Sequence, residues 1–195
     1  MNFLGHLLAT HPHPLRSIGN LAGDMIRNRE LPDLAPAVME GVMIHRAIDT
    51  FTDAHPEIRQ LVGQLRPVHG KYAPVAVDVI LDFILTTDWE HHAAMTFEDF
   101  SGWVYFIVDE HSNQLPDRVR PRVQGMRKHQ WLDQYRTKAG IYNVLQRLDQ
   151  RARFPSRFAE GLADLDQHYP ALRQGLRSFY PDLRAFTRHL IDQAQ

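Results

Sequence analysis

Apolar residues recur every three or four positions through most of the chain, and Pro and Gly punctuate the pattern. A period near 3.6 gathers such positions on one helix face, whereas the strict alternation of a half-buried strand is nearly absent. Asn2–Thr10 reads as a short helix that the Pro12 and Pro14 pair ends. Ser17 is a candidate cap for a helix from Ile18 to about Asn28, and Leu31–Pro36 reads as a turn. Pro36, Pro56 and Pro74 each suit a helix start, where a missing N–H would have no partner anyway. Their helices are expected to reach about Thr52, Leu65 and Trp89. Thr96 with Asp99 resembles a capping box for a helix to about Gln114. Pro116 and Pro121 open short helical pieces, and further helices are expected at Ile141–Arg151, Pro155–His168 and Pro170–Gln193. The pattern predicts an all-α fold, one multi-helix domain over 1–195. Its core is expected from about 1–115, with an Arg-richer outer helical layer from about 116–195.

Several stripes carry polar residues where the period demands apolar ones. Within Val75–Leu85, Asp78 and Asp82 stand at i and i+4 on a face shared with Val75 and Val79. An unpaired buried carboxylate is costly, so a metal ion, an Arg or backbone donors must compensate. A second stripe runs Val38, Val42, His45, Asp49, with Asp53 one turn further on. His and Asp on adjacent turns can both face one ion, the first through a ring nitrogen and the second through oxygen. A third element, Gly19-Asn-Leu-Ala-Gly-Asp24, adds Asp24 after two glycines that weaken a helix yet allow another backbone close. His6, in the first apolar helix, reads by itself as a hydrogen-bonded core histidine. His11, His13, His91, His92, His111, His129, His168 and His189 read as surface residues.

Composition narrows the chemistry. The chain has 195 residues and no Cys, which excludes disulfides, thiolate catalysis and Cys-ligated zinc; any metal must be held by His, Asp and Glu. Lys and Arg number 22 against 23 Asp and Glu, a net charge of −1 that argues against a basic nucleic-acid binder. Apolar runs are broken by Asp or His well before the ~20 residues a membrane span needs. The first residues lack the basic segment of a signal peptide, and a cytoplasmic location is expected. No Gly-x-Ser-x-Gly elbow, phosphate-binding loop or 20- to 50-residue repeat is present.

Met1-Asn-Phe-Leu-Gly-His-Leu7, Gly19-Asn-Leu-Ala-Gly-Asp24 and above all His45-Arg-Ala-Ile-Asp-Thr-Phe-Thr-Asp-Ala-His-Pro56 resemble the bacterial acyl carrier protein phosphodiesterase family, also called acyl carrier protein hydrolase. The likeness continues through Tyr72-Ala-Pro-Val-Ala-Val-Asp-Val-Ile-Leu-Asp82, Trp89, Trp131-Leu-Asp-Gln-Tyr-Arg136 and His168-Tyr169, in order over almost the whole chain. The resemblance implies an all-α fold distantly related to HD-type metal phosphohydrolases. It implies hydrolysis of the phosphodiester joining 4′-phosphopantetheine to a serine of holo-acyl carrier protein, aided by Mn²⁺, with Mg²⁺ or Fe²⁺ as other candidates. The expected ligands are Asp24, His45, Asp49 and Asp78. Asp53 or Asp82 would activate water or hold a ligand in place, and sequence does not separate those roles. The carrier is acidic, so Arg27 and Arg46, beside Asp24 and His45, are expected to bind it. Phe83 stands where many family members carry His. A non-catalytic carrier-binding relative and an HD-like hydrolase of a small phosphorylated metabolite are the alternatives. Oligomeric state is not legible.

Overall fold

The computed structural model describes residues 2–194. Ten α-helices follow one another: α1 Phe3–Thr10, α2 Pro14–Leu21, α3 Pro36–Ala54, α4 Pro56–His69, α5 Ala73–Thr87, α6 Trp89–His92, α7 Phe97–His111, α8 Arg120–Lys128, α9 Lys138–Arg151 and α10 Gly161–Gln193. Short 3-10 turns join several of them, and no strand occurs among the described residues. The prolines begin helices as expected: Pro36 and Pro56 open α3 and α4, and Pro74 is the second residue of α5. Thr96 caps α7, its hydroxyl accepting the Asp99 N–H at 3.1 Å and donating to the Asp99 carboxylate at 2.7 Å.

Two expectations change. The second helix starts at Pro14 and stops at Leu21, so Ser17 lies inside it, buried, with its hydroxyl donating to Thr10 Oγ1 at 2.9 Å instead of capping. The segment 23–25 is a 3-10 turn, which suits its glycine. At the other end, Pro170 does not divide the chain: α10 runs through it and through Pro181. Both prolines are exposed, while Leu172, Leu176, Phe179 and Leu183 on the same helix are fully buried. Four such side chains contribute about 2 kcal/mol each, more than the ~3 kcal/mol a helical proline costs. These α10 side chains belong to the core cluster.

The sharpest constraint on packing is the contact of α2 with α3. A Cβ on Gly19 would sit 2.1 Å from the Val38 carbonyl oxygen, and one on Gly41 would sit 2.1 Å from that of Arg16. The two backbones touch, and only glycine permits it. At the other end of the molecule Asp88 receives Arg173 and Arg177, with Arg177 Nε at 2.6 Å, tying α10 to the end of α5. His92, expected at the surface, is buried beside Asp88 at 3.5 Å, and burial lowers its pKa to about 4. No helix among the described residues is long and apolar enough to cross a membrane.

Helix α5 is the central rod, with Ala76, Val77, Ile80, Leu81, Ile84 and Leu85 all fully buried. Asp82 sits among them with no exposure, and its partners explain it. Its Oδ2 accepts the Leu4 N–H at 2.9 Å and its Oδ1 the Gly5 N–H at 3.2 Å. Asn2, the residue that flanks α1, makes no capping bond. Asp82 therefore caps α1 from 78 residues away. Burial raises its pKa from 3.8 to about 7 despite those two donors.

Asp82→Ala leaves two buried N–H groups unpaired and should destabilise the fold by about 2–5 kcal/mol. Because the folded-state pKa exceeds the unfolded one, the native chain holds a proton that the unfolded chain has released between pH 3.8 and about 7. The contribution of Asp82 to stability therefore falls as pH rises through that window and is level above it. In Asp82→Asn this decline should vanish. Thermal unfolding of both proteins across pH 4–8 checks it; parallel curves would exclude the linkage.

Candidate functional site

A cleft of about 440 Å³ opens where α1, α2, α3 and α5 face α8, α9 and the turn at Trp131. Its floor is set by one amide. The Asn20 Nδ2 donates to the His6 carbonyl oxygen at 2.9 Å, which can only accept. Asn20 Oδ1 is thereby aimed at two imidazoles, His6 Nδ1 at 3.0 Å and His45 Nδ1 at 3.1 Å. An amide oxygen can only accept, so both Nδ1 atoms carry hydrogen and both Nε2 atoms of the neutral rings present lone pairs. The rings lie 4.3 Å apart at 31° and project those lone pairs into one space.

That space is ringed by oxygen. His6 Nε2 lies 3.2 Å from Asp49 Oδ1, and His45 Nε2 lies 3.3 Å from Asp49 Oδ2 and 3.2 Å from Asp24 Oδ1. Lone pairs facing carboxylates at such distances repel unless a positive species lies between them. A proton could fill that place, but burial lowers the pKa of His6 and disfavours the imidazolium. A metal ion is the other candidate, and His6, His45 and Asp49 place one ligand atom each within 4.8 Å of one another. Nitrogen and oxygen donors without thiolate suit a divalent ion of intermediate or hard character. Asp24 stands at the exposed edge of the group.

The local sequence makes this arrangement possible. Gly23 lies against the His45 ring, where an added Cβ would come within 2.2 Å of Cγ. The i, i+4 spacing on α3 turns His45 and Asp49 the same way, and Asp53 continues the line into the cleft. Burial, then the charges of Asp78 and Asp49, raise the Asp53 pKa. Thr52, buried and lining the cleft, has a hydroxyl with no hydrogen-bond partner among the described residues.

Of the residues singled out in the sequence, Asp24, His45, Asp49, Asp53 and Asp78 all line this cleft. Asp82 does not: it is spent on the α1 cap. Arg27 and Arg46 do not line it either. Arg46 donates to Asn28 Oδ1 at 2.8 Å and to the Ile26 carbonyl oxygen at 3.1 Å, holding the segment after Asp24 against α3. Arg27 is exposed, and its backbone N–H bonds the Glu30 carboxylate at 2.7 Å. The cationic side chains of the cleft are instead Arg122, Arg147 and Arg151. His6 and Asn20 are further members: His6, expected as a hydrogen-bonded core histidine, makes such a bond to Asn20 but also faces Asp49, and Asn20 is not among the sequence candidates. Both are polar residues on otherwise buried faces of short helices, the same signal that exposed Asp78 and His45. Phe83 packs in the core and is absent from the cleft lining.

A family model described as acyl carrier protein phosphodiesterase matches residues 1–183. Curated proteins of that name from Salmonella newport (strain SL254) and Salmonella typhimurium (strain LT2) are each 32% identical to the chain over 190 residues, 95% of its length and 96% of theirs. No solved structure matches the chain.

Gly23→Ala should push the His45 ring off its place while leaving the helices folded. Displacing a positioned ligand weakens metal binding about 10- to 100-fold. Titration with Mn²⁺, followed by calorimetry and by the rise in unfolding temperature, measures this. Unchanged affinity would mean that His45 is not a ligand.

Proposed function

The chain belongs to the acyl carrier protein phosphodiesterase family, and on that footing we propose that it hydrolyses holo-acyl carrier protein to the apo-protein and 4′-phosphopantetheine, using a divalent ion held at the floor of the cleft. The observation that carries this reading is the pair of imidazoles whose Nε2 lone pairs are turned by Asn20 onto the Asp49 carboxylate. Nothing in ordinary core packing calls for that arrangement, and a cation resolves it.

His6, His45 and Asp49 would hold the ion, Asp24 would complete the set from the solvent side, and Asp78 would add a carboxylate from α5. Mn²⁺ is the first choice, with Mg²⁺ or Fe²⁺ compatible with the same donors. Such an ion supplies charge neutralisation at a phosphate oxygen and a more acidic water. Asp53 is the proposed base: it lines the cleft, one helical turn beyond Asp49, and its raised pKa makes it a better proton acceptor than a free carboxylate. The water oxygen adds to phosphorus as Asp53 takes its proton. The bond from phosphorus to the serine oxygen breaks, the proton that Asp53 accepted passes to that oxygen through solvent, and the phosphate departs on pantetheine. Asp82 supports α1, and with it His6, instead of touching the substrate. The absence of a family histidine at Phe83 counts little against turnover, because that position faces the core. A cytoplasmic setting, where the carrier protein resides, fits this role.

The test is release of phosphopantetheine from purified holo-carrier, read by mass spectrometry, with and without Mn²⁺. Wild-type protein should release it only with a divalent ion. Asp49→Ala should fold, lose the Mn²⁺-dependent rise in unfolding temperature, and release product at least about a hundredfold more slowly. Failure of the wild type with every divalent ion would overturn the reading.

A further inference from the structure

The cleft has two unlike walls. One carries the acids and histidines; the other, formed by α8, the Trp131 turn and α9, carries arginines and apolar groups. On α9, Arg147 and Arg151 stand at i, i+4, with Val144 and Leu148 turned into the same cleft. Arg153 follows at the rim, exposed like both of them. Neither Arg151 nor Arg153 forms an ion pair with any described residue, and Arg147 bonds only the neutral side chain of Gln134. The acid next to them is already committed: Asp149 accepts the N–H groups of Phe158 at 2.9 Å and Ala159 at 2.7 Å as well as the Ser156 hydroxyl. No described carboxylate pairs directly with these guanidinium groups, although the chain as a whole carries −1.

Apolar exposure follows close by in the chain. Phe154, three residues beyond Arg151, is 51% exposed, with the Lys71 ammonium 3.4 Å from its ring centroid and the Arg153 guanidinium at 5.6 Å. Val75, 39% exposed, lies inside the cleft. Deeper, Phe3 and Trp131 pack together with ring centroids 4.7 Å apart and both line the path toward the imidazoles.

Resting on the function proposed above, we infer that the acidic carrier protein docks on the α9 rim, through Arg147, Arg151 and Arg153 with Arg122 of α8 on the same wall, and that its uncharged pantetheine arm lies along Phe3, Trp131, Leu148 and Val75. A cationic rim around an apolar slot that ends at a site for a divalent ion matches a ligand with an acidic body, a neutral linear arm and a phosphodiester. Arg27 and Arg46 are then peripheral to docking, Arg46 serving the segment after Asp24.

Binding can be separated from turnover by titrating fluorescently labelled apo-carrier protein, which lacks the phosphodiester, into the enzyme and reading anisotropy. Arg147→Glu with Arg151→Glu should weaken binding about ten- to a hundredfold at low salt, mainly through a slower on-rate, and the deficit should shrink as salt rises. The KM for holo-carrier should rise in parallel, with kcat changing less. Arg27→Glu with Arg46→Glu should have a smaller effect. Circular dichroism and the unfolding temperature check folding; if loss of the Gln134 contact unfolds the first variant, Arg151→Glu with Arg153→Glu carries the same test. Wild-type-like binding by the α9 variants, a larger loss in the Arg27 and Arg46 pair, or no carrier binding by wild type would each overturn the inference. Binding without phosphopantetheine release would instead leave docking standing and refute the hydrolytic function.

Discussion

The site depends on a single amide oxygen that accepts from two imidazoles at once. Because Asn20 Nδ2 is committed to a backbone carbonyl, its Oδ1 has no freedom to turn away, and both rings inherit one tautomer from it. This is how a protein without thiolates can place two nitrogen lone pairs side by side. The arrangement has a steric condition. Asn20 reaches His45 only because α2 lies in backbone contact with α3, and that contact exists only because Gly19 and Gly41 lack a Cβ. Gly23 then clears room for the His45 ring itself. Three glycines, an asparagine and two histidines thus form one mechanical unit, in which each member would be puzzling alone.

The acids divide by what surrounds them. Asp49 and Asp24 face nitrogen lone pairs, Asp53 and Asp78 share the cleft, and Asp82, one turn below Asp78 on α5, faces the N-terminus of α1. Two carboxylates at i, i+4 on the same helix therefore serve different ends. Burial works in opposite directions on the two chemistries, raising Asp53 and Asp82 and lowering His6.

Much of this was legible along the chain. The stripe Val38, Val42, His45, Asp49 could be read because its residues share one helix, and a helix brings them together by its pitch alone. Helix starts at Pro36 and Pro56 were equally local. The role of Asp82 was not legible, because its partners are N–H groups 78 and 77 residues distant that no spacing encodes. Arg27 and Arg46 show that closeness in sequence to Asp24 and His45 does not place a residue in the cleft lining: Arg46 follows His45 on α3, where neighbouring residues point some 100° apart, and Arg27 lies in the extended segment after Asp24. Arg122, Arg147 and Arg151 reach the cleft through tertiary packing. The continuity of α10 is not legible, because the burial that outweighs Pro170 and Pro181 comes from tertiary packing.

The order of the cleft's two walls along the chain has a consequence for how the protein is made. Every nitrogen and oxygen proposed to hold the ion lies between His6 and Asp78, whereas the arginine wall begins only at Arg122 and ends at Arg151. Tyr180, whose hydroxyl donates to the Gly5 carbonyl oxygen at 3.1 Å, closes over the first helix last of all. On a translating ribosome the ion's half of the cleft leaves the exit tunnel first, the recognition half follows, and the clasp comes at the end. A nascent chain therefore presents the acids and histidines of the cleft well before its arginines, and the contact that Tyr180 makes with α1 is the last of these to become available.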